Sequence, residues 1–200
     1  ARGLRETLAI ADDGPAGYEQ VAAQLIQRPL VDIQRRVTLD RGTGDGVVVN
    51  SLVFAPVRPT SADAKVFGAL VGRVTSVTSR SATVTLITDP VTQVGARLQG
   101  SDKPLGLLTA TASGTLNLEQ VPSDILVRND MRVVTSGVGT EQLPSPYPPD
   151  IPIGYVSSVG AREPGAFQTV QVTPYRQPLE LRIFTVFVPV SAAAKRRATG

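Results

Sequence analysis

From residue 21 to residue 190 the chain is built of short runs in which apolar and polar positions alternate. Residues 36–40 (Arg-Val-Thr-Leu-Asp), 82–88, 115–119, 168–172 and 180–183 all carry this period of two. Alternation with Val and Thr enrichment describes strands with one face buried and one wet. Gly, Pro, Asp and Ser separate the runs, and roughly ten to twelve of them fall at barrel or sandwich spacing. No sustained 3.6-residue period interrupts them, so the body is expected to be all-β. Only residues 1–14 read differently. Leu4 and Leu8 lie four apart between Arg2, Arg5 and Glu6, ahead of a helix-stopping Asp12-Asp13-Gly14-Pro15. That segment is either a frayed terminal helix or the last turns of a coiled coil.

The strands recur in order. Residues 45–50 resemble 130–135, 72–77 resemble 154–159, 83–90 resemble 169–174, and the alternating 94–98 and 179–183 close each copy. Two small β-barrel-like units related by an internal repeat follow from this. They are expected over residues 21–100 and 101–190, possibly interleaved, after a helix end and linker over 1–20 and before a flexible basic tail over 191–200. Closure into barrels would also leave few open strand edges. Two long loops occupy equivalent places, 57–68 and 137–152. The second holds Pro144-Ser145-Pro146-Tyr147-Pro148-Pro149, which favours extended backbone. It is either a stiff connector or a presented tip carrying Tyr147.

Composition then removes most chemistry. The 200 residues include no His, no Cys, no Trp and one Met. Imidazole acid–base catalysis, Ser-His-Asp and Cys-His machinery, ordinary zinc sites, thiolate clusters and disulfides are all excluded. Twenty Lys and Arg against 17 Asp and Glu give a net charge of +3, a mild excess that demands no anionic partner. No apolar run approaches the ~18 residues of a membrane span, and the chain opens on Ala1, so it reads as a soluble fragment of something longer.

The remaining motifs are better explained as turns. Gly42-Thr43-Gly44-Asp45-Gly46 lacks the Lys-Ser/Thr and helix of a phosphate loop and runs into Val47-Val48-Val49. It is expected to be a tight turn in which glycines take positive φ and Asp45 caps. Asp40, Asp89, Asp124, Asp130 and Asp150 stand beside Gly, Pro, Ser or Asn as turn residues do. Ser136 has no lysine at Ser-x-x-Lys spacing. Phe54, Phe67, Phe167, Phe184 and Phe187 are scattered, mostly at positions expected in the core, so no aromatic nucleic-acid platform is expected. Gly42, Gly46, Gly72, Gly95, Gly137 and Gly154, with Pro90, are read as turn or close-packing residues. No cofactor and no metal site is expected.

The ordered set of motifs resembles the rod shape-determining protein MreC family over residues 21–188. Its carriers are Thr38-Leu39-Asp40-Arg41-Gly42 with Asp45-Gly46-Val47, Leu70-Val71-Gly72-Arg73-Val74, and Leu86-Ile87-Thr88-Asp89-Pro90. They continue with Val94-Gly95-Ala96-Arg97-Leu98, Gly114-Thr115-Leu116-Asn117-Leu118, Val121-Pro122, Asp130 with Val133-Val134-Thr135-Ser136-Gly137, Pro152-Ile153-Gly154-Tyr155-Val156 and Phe167-Gln168. The sequence departs from the family's pattern in its long 53–65 stretch, its proline-rich 144–149 loop and its basic tail. The resemblance implies the extracytoplasmic β-domain of a single-pass protein, with the final turns of its coiled coil, at the outer face of the bacterial cytoplasmic membrane. It implies a non-enzymatic scaffold of cell elongation that self-associates as a dimer or filament and binds a class B penicillin-binding transpeptidase. Links to MreD and the actin-like filament protein would run through the membrane part. Such a scaffold would present exposed edges or apolar patches and shift a partner's active-state equilibrium. Tyr147 and Tyr155 are the partner-contact candidates. The alternatives are a peptidoglycan- or carbohydrate-binding module and a periplasmic adaptor of an export system.

Overall fold

The computed structural model describes residues 17–28, 34–55, 68–138, 145–160 and 165–190. The N-terminal helix, the basic tail and nearly all of the 57–68 loop expected from sequence lie outside these residues. The described chain is all-β and contains β1 (Tyr18–Gln27), β2 (Arg36–Leu39), β3 (Leu52–Ala55), β4 (Ala69–Val77), β5 (Ala82–Leu86) and β6 (Gln93–Leu98). It continues with β7 (Gly106–Ala110), β8 (Leu116–Pro122), β9 (Arg132–Thr135), β10 (Pro152–Val159), β11 (Phe167–Pro174) and β12 (Ile183–Pro189). All ladders are antiparallel and close into two six-stranded barrels, ordered β1-β12-β3-β4-β5-β2 and β10-β11-β8-β7-β6-β9.

Alternation explains each interior. In the first barrel Val37, Leu39, Val53, Val71, Val74, Val84, Leu86, Phe184, Val186 and Val188 form one buried cluster. In the second, Val94, Leu108, Leu116, Leu118, Val133, Val156, Val170 and Val172 are buried. Each such side chain contributes about 1.5–3 kcal/mol when fully removed from water. Turn chemistry fixes the connections. The Thr78 hydroxyl accepts the amides of Arg80 and Ser81 and so reverses the chain into β5.

The division between units differs from the one expected at residue 100. One compact unit holds the described residues up to 28, 36–86 and those from 176 on; the other holds 34–35 and 87–175. Residues 93–98 therefore belong to the second barrel, and 183–189 close the first. The reason is pairing: β6 bonds to β7 and β9, whereas β12 bonds to β1 and β3. Residues 179–182 hold a 3-10 turn and the bend after it, so the expected closing strand starts only at Ile183.

The internal repeat is present, with a corrected register. Starting at β4, the first ring reads β4-β5-β2-β1-β12-β3; starting at β10, the second reads β10-β11-β8-β7-β6-β9. Asn50 and Asp130 are equivalent. Both have positive φ, 73° and 66°, and donate their amides to Val74 and Val156 respectively. Asp130 thus matches Asn50 rather than Asp45. Likewise Val84 matches Val172, because each lies opposite the matched Val74 or Val156. The same bulges interrupt β4 between Val74 and Ser76 and β10 between Val156 and Ser158.

The glycines serve two different ends. Gly72 and Gly154 are matched positions where a Cβ would press on the carbonyl oxygens of the matched Thr85 and Thr173, at 2.6 Å for Gly72. Gly95 meets Val138 O and Ser136 Oγ in the same way. Gly42 is extended, contrary to the positive φ expected for the turn glycines, and its Cβ would lie 2.6 Å from Arg80 N. Only Gly46, with φ 86°, uses the left-handed conformation inside the 42–46 turn. Asp45 closes that turn by accepting the Gly42 amide at 3.1 Å.

Gly46→Val places a β-branched residue at that φ and is expected to destabilise the protein by about 1–3 kcal/mol in urea unfolding. An unchanged midpoint would remove the conformational role assigned to Gly46.

Candidate functional site

The loop expected to present Tyr147 is instead bound to the second barrel. Thr135, at the end of β9 and fully buried, donates its hydroxyl to Pro148 O and accepts the Ile151 amide at 2.9 Å. Its own amide donates to Ile151 O, and its carbonyl accepts the Asp150 amide. Ser145 Oγ accepts the Tyr147 amide, Asp150 pairs with Arg97, and Pro149 packs over Gly137, whose φ is 73°. Tyr147 is 3% exposed. It anchors the connector and is not a presented tip.

Tyr155 faces outward from β10, directly opposite Arg132 of β9 and Thr173 of β11. Its ring lies 6.1 Å from that of Tyr175 at 50°. Burial pushes the Tyr175 phenol above its ordinary pKa, and the Arg132 guanidinium partly offsets this. Tyr155, Tyr175 and Arg132 thus form one polar-aromatic face on the outer wall of the second barrel.

The second barrel also exposes large apolar side chains. Phe167 opens β11 and is 70% exposed, unlike the buried Phe54, Phe184 and Phe187; Leu126 is 55% exposed. Between them run Pro122, opposite Phe167 in the ladder, and the 123–126 turn. Gln168 holds this turn. Its side chain is buried, and its amide donates to Pro122 O at 3.2 Å and Ile125 O at 2.9 Å. The Ser123 amide donates to Ala166 O from the other side. At the adjoining β8 bulge Gln120 has φ 60°, rare for a non-glycine residue outside Asn and Asp. A signal for Phe167 was present in its parity. Gln168, Val170 and Val172 point inward, which puts Phe167 in step with the outward Thr169 and Gln171.

The remaining polar candidates are engaged locally. In the glycine-rich turn every amide from Gly42 to Val47 donates to Asp45 or to the carbonyls of Gly42, Thr43, Thr78 and Ser79, so none converges on a phosphate. Asp40 accepts the Gln24 amide and pairs with Arg41. Asp89 is buried and accepts the amides of Arg35 and Val91, setting the turn that contains Pro90. Among the described residues no three acidic side chains gather to hold a metal ion. The arrangement can bind through side-chain surfaces.

Comparisons with known proteins agree with this architecture. The family described as "Rod shape-determining protein MreC, barrel core" matches residues 25–188. The cell shape-determining protein MreC of Listeria monocytogenes is 31% identical over 187 residues, covering 92% of this chain and 58% of that protein. The chain therefore spans less than two thirds of that relative. A solved Listeria monocytogenes MreC superposes with a TM-score of 0.68 at 28% identity, covering 94% of this chain and 83% of that one. MreC from Pseudomonas aeruginosa gives 0.64 at 22% identity, covering 84% and 98%. MreC in a complex with the penicillin-binding protein PBP2 from Helicobacter pylori gives 0.55 at 12% identity, covering 86% and 98%.

Tyr147→Ala is expected to cost about 3 kcal/mol or more in denaturant unfolding, as loss of a buried aromatic does. A surface contact residue would change stability by less than about 0.5 kcal/mol. Because the folded state raises the Tyr175 pKa, that group's contribution is full below the unfolded value of about 10 and is lost as pH rises through the raised folded value. Tyr175→Phe should therefore flatten part of the alkaline fall in stability. An identical pH–stability curve would contradict the burial of that phenol.

Proposed function

The chain belongs to the rod shape-determining protein MreC family, and on that footing we propose that it is a non-enzymatic scaffold of the bacterial cell-elongation machinery. In this reading it stands at the extracytoplasmic face of the cytoplasmic membrane, held by an upstream single-pass anchor and coiled coil. It binds the class B penicillin-binding transpeptidase of elongation, self-associates, and reaches MreD and the actin-like filament protein through its anchor. The observation that carries the reading is the family match across both barrels, 25–188. The partner is suggested by the Helicobacter pylori MreC that forms a complex with PBP2.

The Phe167 and Leu126 pad is the surface we assign to the transpeptidase. An exposed aromatic and an exposed leucine gain most when a partner removes them from water, and a few such side chains dominate most interfaces. The Gln168 amide and the Ser123–Ala166 bond hold the pad's backbone in place, so little ordering remains to oppose binding. Regulation then follows from differential affinity for the partner's states, with no chemical step on this chain.

The test is saturable binding of this chain to the extracellular part of the elongation transpeptidase at low and physiological salt, with a division transpeptidase as control. Selective binding at both salts is expected, weakened at least about tenfold by Phe167→Ser with Leu126→Ser, while unfolding midpoints stay close to wild type. Equal binding of the division enzyme would overturn the partner, and unchanged affinity in the double variant would overturn the pad.

A further inference from the structure

The duplicated barrels provide an internal comparison for the Tyr155 face. The ladder position of Arg132 and Tyr155 in the second barrel corresponds to that of Leu52 and Arg73 in the first, since Leu52 lies opposite Arg73 as Arg132 lies opposite Tyr155. In the first barrel the pair is self-contained. Leu52 is buried, and the Arg73 guanidinium donates to Asn50 Oδ1 at 2.6 Å. In the second barrel the arginine is exposed. Among the described residues the ion pairs are Arg41 with Asp40 and Asp45, and Arg97 with Asp150; none involves Arg132. Beside it stand the half-buried rings of Tyr155 and Tyr175.

A guanidinium without a carboxylate, next to two partly buried phenol rings on a barrel's outer wall, lacks a bidentate acceptor and offers apolar area beside it. Guanidinium is weakly hydrated and matches carboxylate geometry with two parallel N–H donors. Tyrosine adds contact area at small conformational cost, and Tyr with Arg is the composition of interface hot spots. We propose that Arg132, Tyr155 and Tyr175 form a docking face for an acidic protein segment, whose Asp or Glu side chain takes the Arg132 fork while an adjoining apolar side chain lies on the tyrosine rings. Charge complementarity selects this occupant, and the convex outer wall favours an extended protein segment over a glycan, which calls for a cleft. The face is separate from the Phe167 pad. The two lie at opposite ends of β11, about 23 Å of strand apart. It therefore stands whether or not the pad binds a transpeptidase, and it makes the second barrel bivalent.

The experiment is a two-dimensional amide NMR titration of the full 200-residue chain at physiological salt. The probe is a synthetic peptide alternating glutamate and leucine; the controls are its glutamine-for-glutamate and lysine-for-glutamate counterparts and a purified muropeptide. Saturable shifts at Arg132, Tyr155 and Tyr175 with the glutamate peptide are expected. They should weaken at least about fivefold in Arg132→Gln, be partly retained in Arg132→Lys, and be unaffected by Phe167→Ser. No shift, equal shifts with the glutamine peptide, shifts centred elsewhere, or stronger binding of the muropeptide at this face would each overturn the proposal.

Discussion

The first barrel depends on a strand that arrives last. β12 pairs with β1 over seven residue pairs and with β3 over three, and it delivers Phe184, Val186 and Val188 to the interior. Without it β1 and β3 would each face water with an unpaired edge. The strand is buried from Phe184 to Val188, on both faces, with Phe187 meeting Phe54 edge-to-face at 4.5 Å. Residues 87–175 intervene between β5 and β12 and complete a ring of their own. The second barrel is thus assembled from pairings inside one continuous segment, whereas the first requires a closure across that whole segment. Long-range pairing of this kind slows folding, and closing the first barrel carries the larger loop-closure cost.

The duplication accounts for how such an insertion is accommodated. In the second barrel β6 comes first in sequence and sits between β7 and β9; in the first barrel the matching place, between β1 and β3, is filled by β12 at the end. The rings are the same, with one strand moved from the front of the chain to its back. The second barrel occupies the connection this permutation opens. Paired constraints survive it: Asn50 with Asp130 at positive φ, Gly72 with Gly154 beneath a threonine carbonyl, and the shared bulges of β4 and β10. These are demands of the backbone, and side chains elsewhere on the ring are free to diverge.

What could be read from sequence follows the same line. The half-buried strands announce themselves by alternation, and the runs expected over 36–40, 82–88, 115–119 and 168–172 correspond to β2, β5, β8 and β11. β12 does not alternate, because both of its faces are buried, and continuous apolar runs carry no information about which face is which. Partners are set by ring closure, which lies outside any local window, so 94–98 joins the second barrel and the first is closed by 183–189 in place of the alternating 179–183. The expectation for Tyr147 failed for a related reason. Nothing in a proline-rich loop shows that a fully buried threonine some dozen residues earlier bonds to it at several points. Phe167 is legible in parity, because the inward Gln168, Val170 and Val172 leave it on the outer face.

Closure also decides how such a protein can recognise anything. A scaffold with open sheet edges could recruit a partner strand through its backbone. Here both sheets close, and their described strands present no free edge. Recognition by the described strands therefore rests on outward side chains, whose backbone is held in place from within. The two outer surfaces of the second barrel meet that condition differently. Around Phe167 a buried amide fixes a turn under apolar groups; around Tyr155 the ladder itself places an arginine opposite a tyrosine. In each case the inward positions fix the geometry and the outward ones supply the chemistry. The Helicobacter pylori MreC has this fold at 12% identity with the present chain, so the barrel architecture tolerates wide divergence in sequence.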